Sequence, residues 1–498
     1  NINSGFSIFI ELFFYFKKLK LNYFLTKTLN YLFMKISGIL ILLIFMSGWS
    51  LFSQAPKTNN EDAFFIRKIY DEALISNTSY EWLTFLCKKI GARISGSPQA
   101  AAAVNYTRQI LDTLSLDSVW LQPVMVPHWD RGEKEVVRVV GSKSQGDITL
   151  RALSLGNSIG TGPAGLTAEV LEVKSLDELD QLGSGQIANK IVFFNRPMDP
   201  RPLNTFNAYG AAADQRGSGA ARAAKYGAVA VLVRSLTNQL DAHPHTGGMS
   251  YQPGIPQIPA LGISTLDAEI LSGLLKKENV SVFIRNTSRM LSEKLSYNVI
   301  GEIKGSEYPD QVVVVGGHLD SWDVGEGAHD DGSGCVQAME VLHLFKKLGY
   351  KPKRTIRCVL FMNEENGLRG GREYAAQALL AKEKHFVAIE SDRGGFTPRG
   401  FTCESSNPDF EKQLKRLNES FSLLESYGLF LKPGGSGADI GPLKPQGVFL
   451  VGFEPDSQRY FDFHHTATDV LEAVNPRELK LGSASMAGLI FLIDKFGL

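Results

Sequence analysis

The sequence contains few cysteines, and none of them are paired at a metal-binding spacing. Cys87, Cys335, Cys358 and Cys403 are scattered through 498 residues without a CxxC motif. This spacing argues against a disulfide-rich scaffold and against a zinc site built from thiolates. One or two disulfides remain compatible with it.

The chain also lacks an excess of charge of either sign. Its 52 basic and 52 acidic residues give a formal net charge of zero, and no long basic tract is present. We therefore expect no nucleic-acid partner, because proteins that bind nucleic acids carry a basic surface. With 44% hydrophobic and 21% charged residues, the composition is typical of globular domains, and the length favours two of them.

The N-terminal segment lacks an apolar run of the roughly 20 residues that span a bilayer. Residues 1–33 are rich in Phe, Leu, Tyr, Asn and Lys, and we interpret them as translated sequence upstream of a natural start at Met34. Residues 34–55 combine one lysine, an apolar run over 39–46 and small residues, which predicts a signal peptide. A membrane anchor is the alternative. The short run favours export to a secreted or periplasmic location, with no stable membrane anchor after cleavage.

One stretch, beginning with four consecutive valines at 312–315, organises the rest of the chain. Such a run is typical of a strand buried on both faces of a parallel sheet. His318 and Asp320 follow it, and ligands in open α/β sheets bind just past the carboxyl ends of strands. Because imidazole and carboxylate groups together suit zinc, this pattern predicts a metal site. A helix is expected next, over 335–348, with Asp331 or Ser333 as its N-cap.

The remainder of the sequence divides into three parts. Residues 56–152 are predicted to form helices followed by two strands, as the N-terminal part of the main domain. Residues 153–290 contain short strands between glycine-rich loops, and we interpret them as an inserted β-rich domain. Residues 291–498 alternate strands and helices, with strands expected at 298–304, 311–317, 355–362 and 386–391. This alternation predicts an α/β fold, a mostly parallel mixed sheet flanked by helices.

Ligand-type residues recur at the ends of predicted strands or in loops, in residues 361–365, 390–392, 434–439 and 463–469. Each segment alone is more often a solvated or capping group. Together they supply His, Asp, Glu, Asp and His in succession, which is hard to obtain by chance. The histidines of a polar loop in the insert, His243 and His245, are interpreted as solvated.

This order of residues resembles the di-zinc aminopeptidase and carboxypeptidase family. The shared pattern is HxD at 318–320, two aspartates 12 and 13 residues after the histidine, then Glu-Glu, Asp and a late His. The resemblance covers about 60–498. It implies a secreted zinc metallo-exopeptidase that hydrolyses dipeptides or short peptides and forms a homodimer. It also implies that the insert is a protease-associated domain.

The same resemblance implies two zinc ions per chain. His318 and Asp392 would hold one ion, and Glu365 and His465 would hold the other. Asp330 would bridge the two.

Further residues take supporting roles in this resemblance. Asp320 would orient the ring of His318 through its carboxylate. A cis peptide bond is expected between Asp330 and Asp331. Ser436 and Gly437, in the glycine loop, would contact the substrate.

Two residues are predicted to act on the substrate. Glu364 would be the general base, since a carboxylate beside a zinc-activated water can take its proton and deliver it to the leaving amine. His464 stands where several relatives have a tyrosine that stabilises the tetrahedral intermediate, so we predict it to be the oxyanion donor. The reverse assignment, with His464 on zinc and His465 as donor, is the main competitor.

Two other functions are weighed against this one. A non-catalytic binding or receptor protein, as the transferrin receptor is on a similar fold, would be expected to have lost ligands or the base. All of these positions are filled here. A glutaminyl cyclase would lack an inserted domain of this kind. The sequence does not fix side-chain specificity, nor does it distinguish an aminopeptidase from a carboxypeptidase or a dipeptidase.

Overall fold

The computed structural model of the protein describes residues 60–498. The interpretations of 1–33 as upstream sequence and of 34–55 as a signal peptide lie outside the described residues. Among the described helices, none is both long and apolar enough to span a membrane. The described chain forms sixteen strands in two eight-stranded sheets, with helices packed around them.

The helices are α1 (Asn60–Ile75), α2 (Thr78–Phe85), α3 (Pro98–Thr113), α4 (Leu176–Ile187), α5 (Thr205–Ala212), α6 (Asp214–Gly217), α7 (Gly219–Lys225), α8 (Thr265–Leu275), α9 (Ser333–Lys347), α10 (Arg369–Ala381), α11 (Phe410–Glu425), α12 (Tyr460–Phe463) and α13 (Pro476–Phe496). A π-helical turn, Leu86–Ile90, follows α2, and a second, Ala328–Gly332, precedes α9. Short 3-10 helices lie at Gly441–Gln446 and Leu471–Ala473.

The strands are β1 (Ser118–Asp130), β2 (Val136–Ser142), β3 (Gly146–Leu150), β4 (Ala152–Ser154), β5 (Leu166–Val173), β6 (Ile191–Phe194), β7 (Ala230–Arg234), β8 (Ala260–Ile263), β9 (Ser281–Arg285), β10 (Arg289–Ile303), β11 (Tyr308–His318), β12 (Arg354–Phe361), β13 (Lys384–Glu390), β14 (Pro398–Glu404), β15 (Phe430–Pro433) and β16 (Phe449–Pro455).

The main sheet has the order β1-β10-β12-β11-β13-β16-β14-β15. Its centre, β12-β11-β13-β16, is parallel, while β1, β10 and β14 run antiparallel to their inner neighbours. The predicted mixed α/β sheet flanked by helices is therefore confirmed. The valines explain why β11 was recognisable. Val313 and Val315 pack in one apolar cluster, and Val312 and Val314 pack in another on the opposite face.

The second sheet has the order β3-β2-β9-β5-β6-β7-β8-β4 and is built from residues 136–285. The sequence interpretation places the start of the insert later, at residue 153. The difference arises because β2 pairs with β9 at the far end of the segment, and sequence periodicity does not reveal this long-range pairing. This sheet has apolar clusters of its own, which contain no residue from outside 136–285.

The topology brings the predicted site residues to one edge of the main sheet. His318 ends β11, Glu364 and Glu365 follow β12, and Asp392 follows β13. Carboxyl ends of adjacent parallel strands meet at the same edge, where ligands bind in such folds. All four cysteines are buried and free, so no disulfide links them.

Candidate metal centre

Two groups of metal-ligand side chains lie at this edge and share one carboxylate. In the first group, His318 Nε2 is 3.1 Å from Asp330 Oδ1 and 3.4 Å from Asp392 Oδ1. In the second, His465 Nε2 is 3.2 Å from Asp330 Oδ2 and 3.1 Å from Glu365 Oε2. The two oxygens of Asp330 therefore face different groups, which is the arrangement that a bridging ligand requires.

The unpartnered oxygens at the site fit bound cations. Asp330 Oδ2, Glu365 Oε1 and Asp392 Oδ1 are buried and accept no hydrogen bond. Leaving a buried carboxylate oxygen unpaired is costly. Imidazole nitrogens and carboxylate oxygens converge on the same points, and this donor set suits zinc.

The charges at the site are strongly coupled. Burial raises the pKa of Glu365 well above its usual value, and the negative charge of Asp330 raises it further. Burial also opposes ionisation of Asp330, but the nearby imidazoles of His318 and His465 hold its pKa well below the usual value. A crowded set of buried carboxylates and histidines of this kind is what a divalent cation neutralises.

Asp320 acts through two different parts of the residue. Its backbone carbonyl lies 2.9 Å from His318 Nδ1, whereas its carboxylate Oδ1 is 3.9 Å away from that nitrogen. The carboxylate instead accepts hydrogen bonds from the backbone N–H groups of Asn363 and Glu364, at 2.6 and 3.1 Å. The sequence interpretation gave the orienting role to the carboxylate. In the structure the nearer group to the ring is the carbonyl, and the carboxylate orders the turn that carries Glu364.

The bond between Asp330 and Asp331 is cis, as the resemblance implies. Asp331 uses both carboxylate oxygens on backbone groups. Oδ2 accepts from the N–H of His318, and Oδ1 accepts from the N–H of Gly334, each at 3.0 Å. Asp331 thus ties the end of β11 to the start of α9. The N-cap position itself is Gly332, which lies between the two predicted candidates, Asp331 and Ser333.

Glu364 lies at the wall of a cavity next to these groups. The cavity has a volume of about 500 Å³ and is also lined by Asp330, Glu365, Asp392 and His465. Burial is the main reason that the pKa of Glu364 rises to about 8. Its place in the cavity wall is the one expected of a base that must reach a substrate.

The two adjacent histidines differ in their contacts. Their rings are stacked with centroids 3.4 Å apart. His465 Nε2 lies 3.2 Å from Asp330 Oδ2, against 3.8 Å for His464 Nε2. His465 also contacts Glu365, so the contacts favour His465 as the ligand. One ligand atom from each of Asp330, His464 and His465 nevertheless lies close enough to the others to share an ion. Burial and the neighbouring His465 hold the pKa of His464 well below its usual value.

Ser436 and Gly437, the residues of the glycine loop that are predicted to contact substrate, pack against other residues in the structure. The backbone N–H and the hydroxyl of Ser436 both donate to Glu404 Oε1, at 2.8 and 2.9 Å. Gly437 packs against Glu390, where an added Cβ would lie 2.2 Å from the carboxyl carbon. Among the described residues that line the cavity, neither of the two is found.

Helices and loops of the segment that builds the second sheet contribute residues to the cavity that sequence reasoning missed. They are Asn157, Phe206, Tyr209, Arg216, Gly248, Met249 and Ser250. Arg216 Nη1 lies 3.4 Å from His465 Nδ1, and Nη2 donates to the hydroxyl of Tyr209. These residues lie between 68 and 161 positions before His318 in the sequence, so no local spacing signals their role.

The loop that carries His245 also contacts the site. His245 is only 3% exposed, contrary to the expectation that it is solvated. The next residue, Thr246, donates its backbone N–H to the carbonyl of His465 at 2.9 Å. The main chain of the insert therefore contacts the main chain of His465, a predicted metal ligand.

Asp469 is a further residue whose importance the sequence only hinted at, through its spacing of four after His465. Its carboxylate accepts hydrogen bonds from the backbone N–H groups of His329 and Asp330, at 2.7 and 3.1 Å. It thereby joins the last site loop to the bridging carboxylate.

Comparison with known proteins agrees with this geometry. A model of peptidase family M28 matches residues 298–489. Carboxypeptidase Q from Bos taurus and that from Homo sapiens are each 37% identical to this chain over 427 residues, which cover 85% of this chain and 86% of each relative. The crystal structure of a peptidase M28 precursor from Shewanella amazonensis SB2B aligns with a TM-score of 0.82 at 32% identity, covering 87% of this chain and 97% of that one.

A more distant structure shares the fold. A zinc aminopeptidase from Bacillus subtilis aligns with a TM-score of 0.59 at 19% identity, over 83% of this chain and 94% of its own. The identity to the curated relatives extends over most of both chains, and the family model spans the strand ends that carry the buried histidines and carboxylates. The predicted resemblance is confirmed, and the chain belongs to peptidase family M28.

Proposed function

We propose that this chain is a zinc-dependent exopeptidase that hydrolyses dipeptides or short peptides. The observation that carries the proposal is the shared use of Asp330 by two buried ligand groups, beside Glu364 in the wall of one cavity. A volume of about 500 Å³ suits a small ligand, such as a dipeptide, better than a long chain.

Two zinc ions are the proposed cofactors. His318, Asp330 and Asp392 would hold one, and Asp330, Glu365 and His465 would hold the other. When bound, zinc supplies Lewis-acid activation of water and of the scissile carbonyl.

Glu364 is the proposed general base. Its backbone N–H is held by Asp320, so the turn that carries it is fixed in place. Its carboxylate takes a proton from the attacking water and delivers it to the leaving amine, which is the usual work of a positioned carboxylate.

His464 is the proposed donor to the developing oxyanion. Its ring is enclosed by Tyr209, Tyr460 and Phe461, with ring centroids 5.1 to 5.2 Å away. This burial keeps the imidazole neutral, so that one ring nitrogen carries a hydrogen and can donate it.

Arg216 is the proposed anchor for the carboxylate at the end of the substrate. Its guanidinium lines the cavity, and its Nε is buried without a hydrogen-bond partner. A guanidinium recognises carboxylates through paired N–H groups. This placement supports substrates that present a free carboxyl terminus, such as dipeptides.

The remaining proposals concern the whole protein. We interpret the second sheet, residues 136–285, as the inserted protease-associated domain that closes one side of the cleft. Export to a secreted or periplasmic location and assembly into a homodimer are carried over from the resemblance. The N-terminal part and residues 291–498 together form the peptidase domain in this proposal.

Zinc content and turnover of a dipeptide panel test the function. The purified protein should contain about two zinc ions per chain and hydrolyse free dipeptides. Blocking the carboxyl terminus as an amide should raise KM far more in the native protein than in Arg216→Met. A protein that binds zinc and dipeptides but shows no turnover would instead support the non-catalytic alternative.

A further inference from the structure

Arg93 is a fully buried arginine in the turn between α2 and α3, and its side chain binds a single loop. Nε donates to the carbonyl of Leu319 at 2.6 Å. Nη1 donates to the carbonyl of Glu326 at 2.7 Å, and Nη2 donates to the carbonyl of Gly327 at 2.9 Å. The guanidinium therefore holds both ends of the loop 319–327 at once.

This loop connects two of the predicted metal ligands. His318 immediately precedes it, and Asp330 lies three residues after it. Since the loop begins and ends at the site, its shape sets how the two ligands approach each other, and their nearest atoms are 3.1 Å apart.

The main chain of Arg93 contributes to the same contact. Its N–H donates to Ser321 Oγ at 3.2 Å. Gly327 has φ +58°, and a Cβ there would lie 2.4 Å from the Cβ of Ser321 and 2.8 Å from Nη1 of Arg93. A side chain at position 327 would therefore collide with both Ser321 and Arg93, so the loop packs closely against the arginine at this point.

The guanidinium of Arg93 is a buried positive charge. Burying a guanidinium is costly unless it is well hydrogen-bonded. Here its partners are three backbone carbonyls, and a carboxylate is not among them. An apolar side chain of similar length would fill the volume at lower cost, but it would leave three buried carbonyls unpaired.

We propose that Arg93 is a positioning residue for the metal centre. It fixes the loop 319–327 and thereby the relative position of His318 and Asp330. This inference rests on the proposed zinc site, although the hydrogen bonds that motivate it do not depend on a bound ion.

The test compares Arg93→Met and Arg93→Lys in the full chain with matched variants of a second, partly buried arginine. Arg354 begins β12 at the opposite end of the sheet and donates from Nη1 to the carbonyl of Asp494 at 2.8 Å. Zinc affinity is measured by competition with a chelator, and folding of the metal-free proteins by circular dichroism.

We expect Arg93→Met to lower zinc affinity by about 10- to 100-fold, the range for residues that orient metal ligands. Arg93→Lys should recover part of this loss, because an ammonium can still bind one or two of the carbonyls. The Arg354 variants should lower stability and leave zinc affinity unchanged. Equal losses of zinc affinity in the Arg93 and Arg354 variants would assign the effect to general destabilisation and overturn the inference.

A milder variant decides the case in which Arg93→Met does not fold. Ser321→Ala removes the hydroxyl that accepts from the main chain of Arg93 and donates to the carbonyl of Trp322, and it leaves the guanidinium contacts intact. It should lower zinc affinity by a smaller factor than Arg93→Lys does. Native zinc affinity in both of these folded variants would overturn the inference while leaving the proposed function intact. Failure of the native protein to bind zinc would overturn the proposed function and the inference together.

Discussion

Pairs of identical neighbours receive different tasks at this site because their surroundings differ. In the pair 330–331, one aspartate faces both ligand groups, and the other spends both oxygens on backbone N–H groups. In the pair 364–365, the second glutamate meets His465 and the first lines the cavity. In the pair 464–465, His465 lies nearer to Asp330 than His464 does. The residue type alone therefore does not decide which member binds metal.

The first prediction concerns Glu364→Gln. The amide keeps the shape of the side chain but cannot accept a proton, so kcat should fall by about 10²- to 10⁴-fold. Zinc content should stay near that of the native protein, because Glu364 is not assigned as a ligand. Glu373→Gln, on the exposed side of α10, is the control and should retain activity. Loss of zinc from Glu364→Gln would contradict the assignment, as would substantial residual activity.

The second prediction separates the two histidines. His465→Ala should lose one zinc ion, because it removes a nitrogen that meets both Asp330 and Glu365. His464→Ala should keep zinc and lose kcat, by the equivalent of about 3 kcal/mol for one oxyanion donor. Zinc analysis and steady-state kinetics of both variants decide the matter. If His464→Ala loses metal and His465→Ala retains it, the two assignments must be exchanged.

At the scale of elements, the core of the main sheet could be predicted, since a strand buried on both faces reads as a continuous apolar run. The valines of β11 show this directly. The strand ends were predictable too, because glycine and polar residues follow at once. The bounds of β10 were harder, because its first half is exposed and pairs with β1 outside the sheet core.

One packing contact between elements predicts a pH dependence of stability. His385 on β13 lies with Nε2 2.7 Å from the hydroxyl of Tyr374 on α10, which itself accepts a hydrogen bond from Arg357 at 3.1 Å. The hydroxyl therefore donates to a neutral imidazole. Burial, together with the positive charge of Arg357, lowers the pKa of His385 to about 4.

The third prediction follows from the sign of this shift. The unfolded chain has a histidine pKa of about 6.5, so it binds the proton more readily than the folded protein between pH 6.5 and 4. The stabilising contribution is complete above pH 6.5 and is lost as the pH falls toward 4. His385→Gln should therefore make the free energy of unfolding less dependent on pH in this window, as measured by urea titrations. His128→Gln on β1 controls for the substitution itself, and an unchanged pH dependence in His385→Gln would refute the prediction.

At the scale of the whole molecule, the sequence revealed one half of the cleft and missed the other. His318, Glu364, Glu365 and Asp392 lie at the ends of strands of one sheet, where a local sequence motif makes them recognisable. Arg216 and Tyr209 lie on helices α6 and α5 of residues 136–285, and only the packing of this segment against the main sheet places them at the cavity. Ser436 is not among the described residues that line this cavity, and its hydroxyl donates to Glu404 on β14.

The insert enters and leaves the main sheet at one point. Asp130 at the end of β1 stands opposite Arg289 at the start of β10 in the antiparallel ladder. A two-residue Asn-Gly turn in place of 131–288 would therefore join these strands as a β-hairpin. The apolar clusters of the second sheet would leave with it, and the two largest clusters of the main domain would keep all their members.

The last prediction is that this hairpin variant folds and binds zinc but no longer hydrolyses dipeptides efficiently. It lacks Arg216 and Tyr209, and it lacks the hydrogen bond from Thr246 to His465, so the substrate is not held against Glu364. We expect kcat/KM to fall by at least about 10²-fold, since misplacement of a substrate by 1 Å can cost that much. Arg216→Met in the complete chain is the companion variant and should mainly raise KM. Circular dichroism and zinc content establish that the hairpin variant is folded, and native dipeptidase activity in it would show that the second sheet does not shape the cleft.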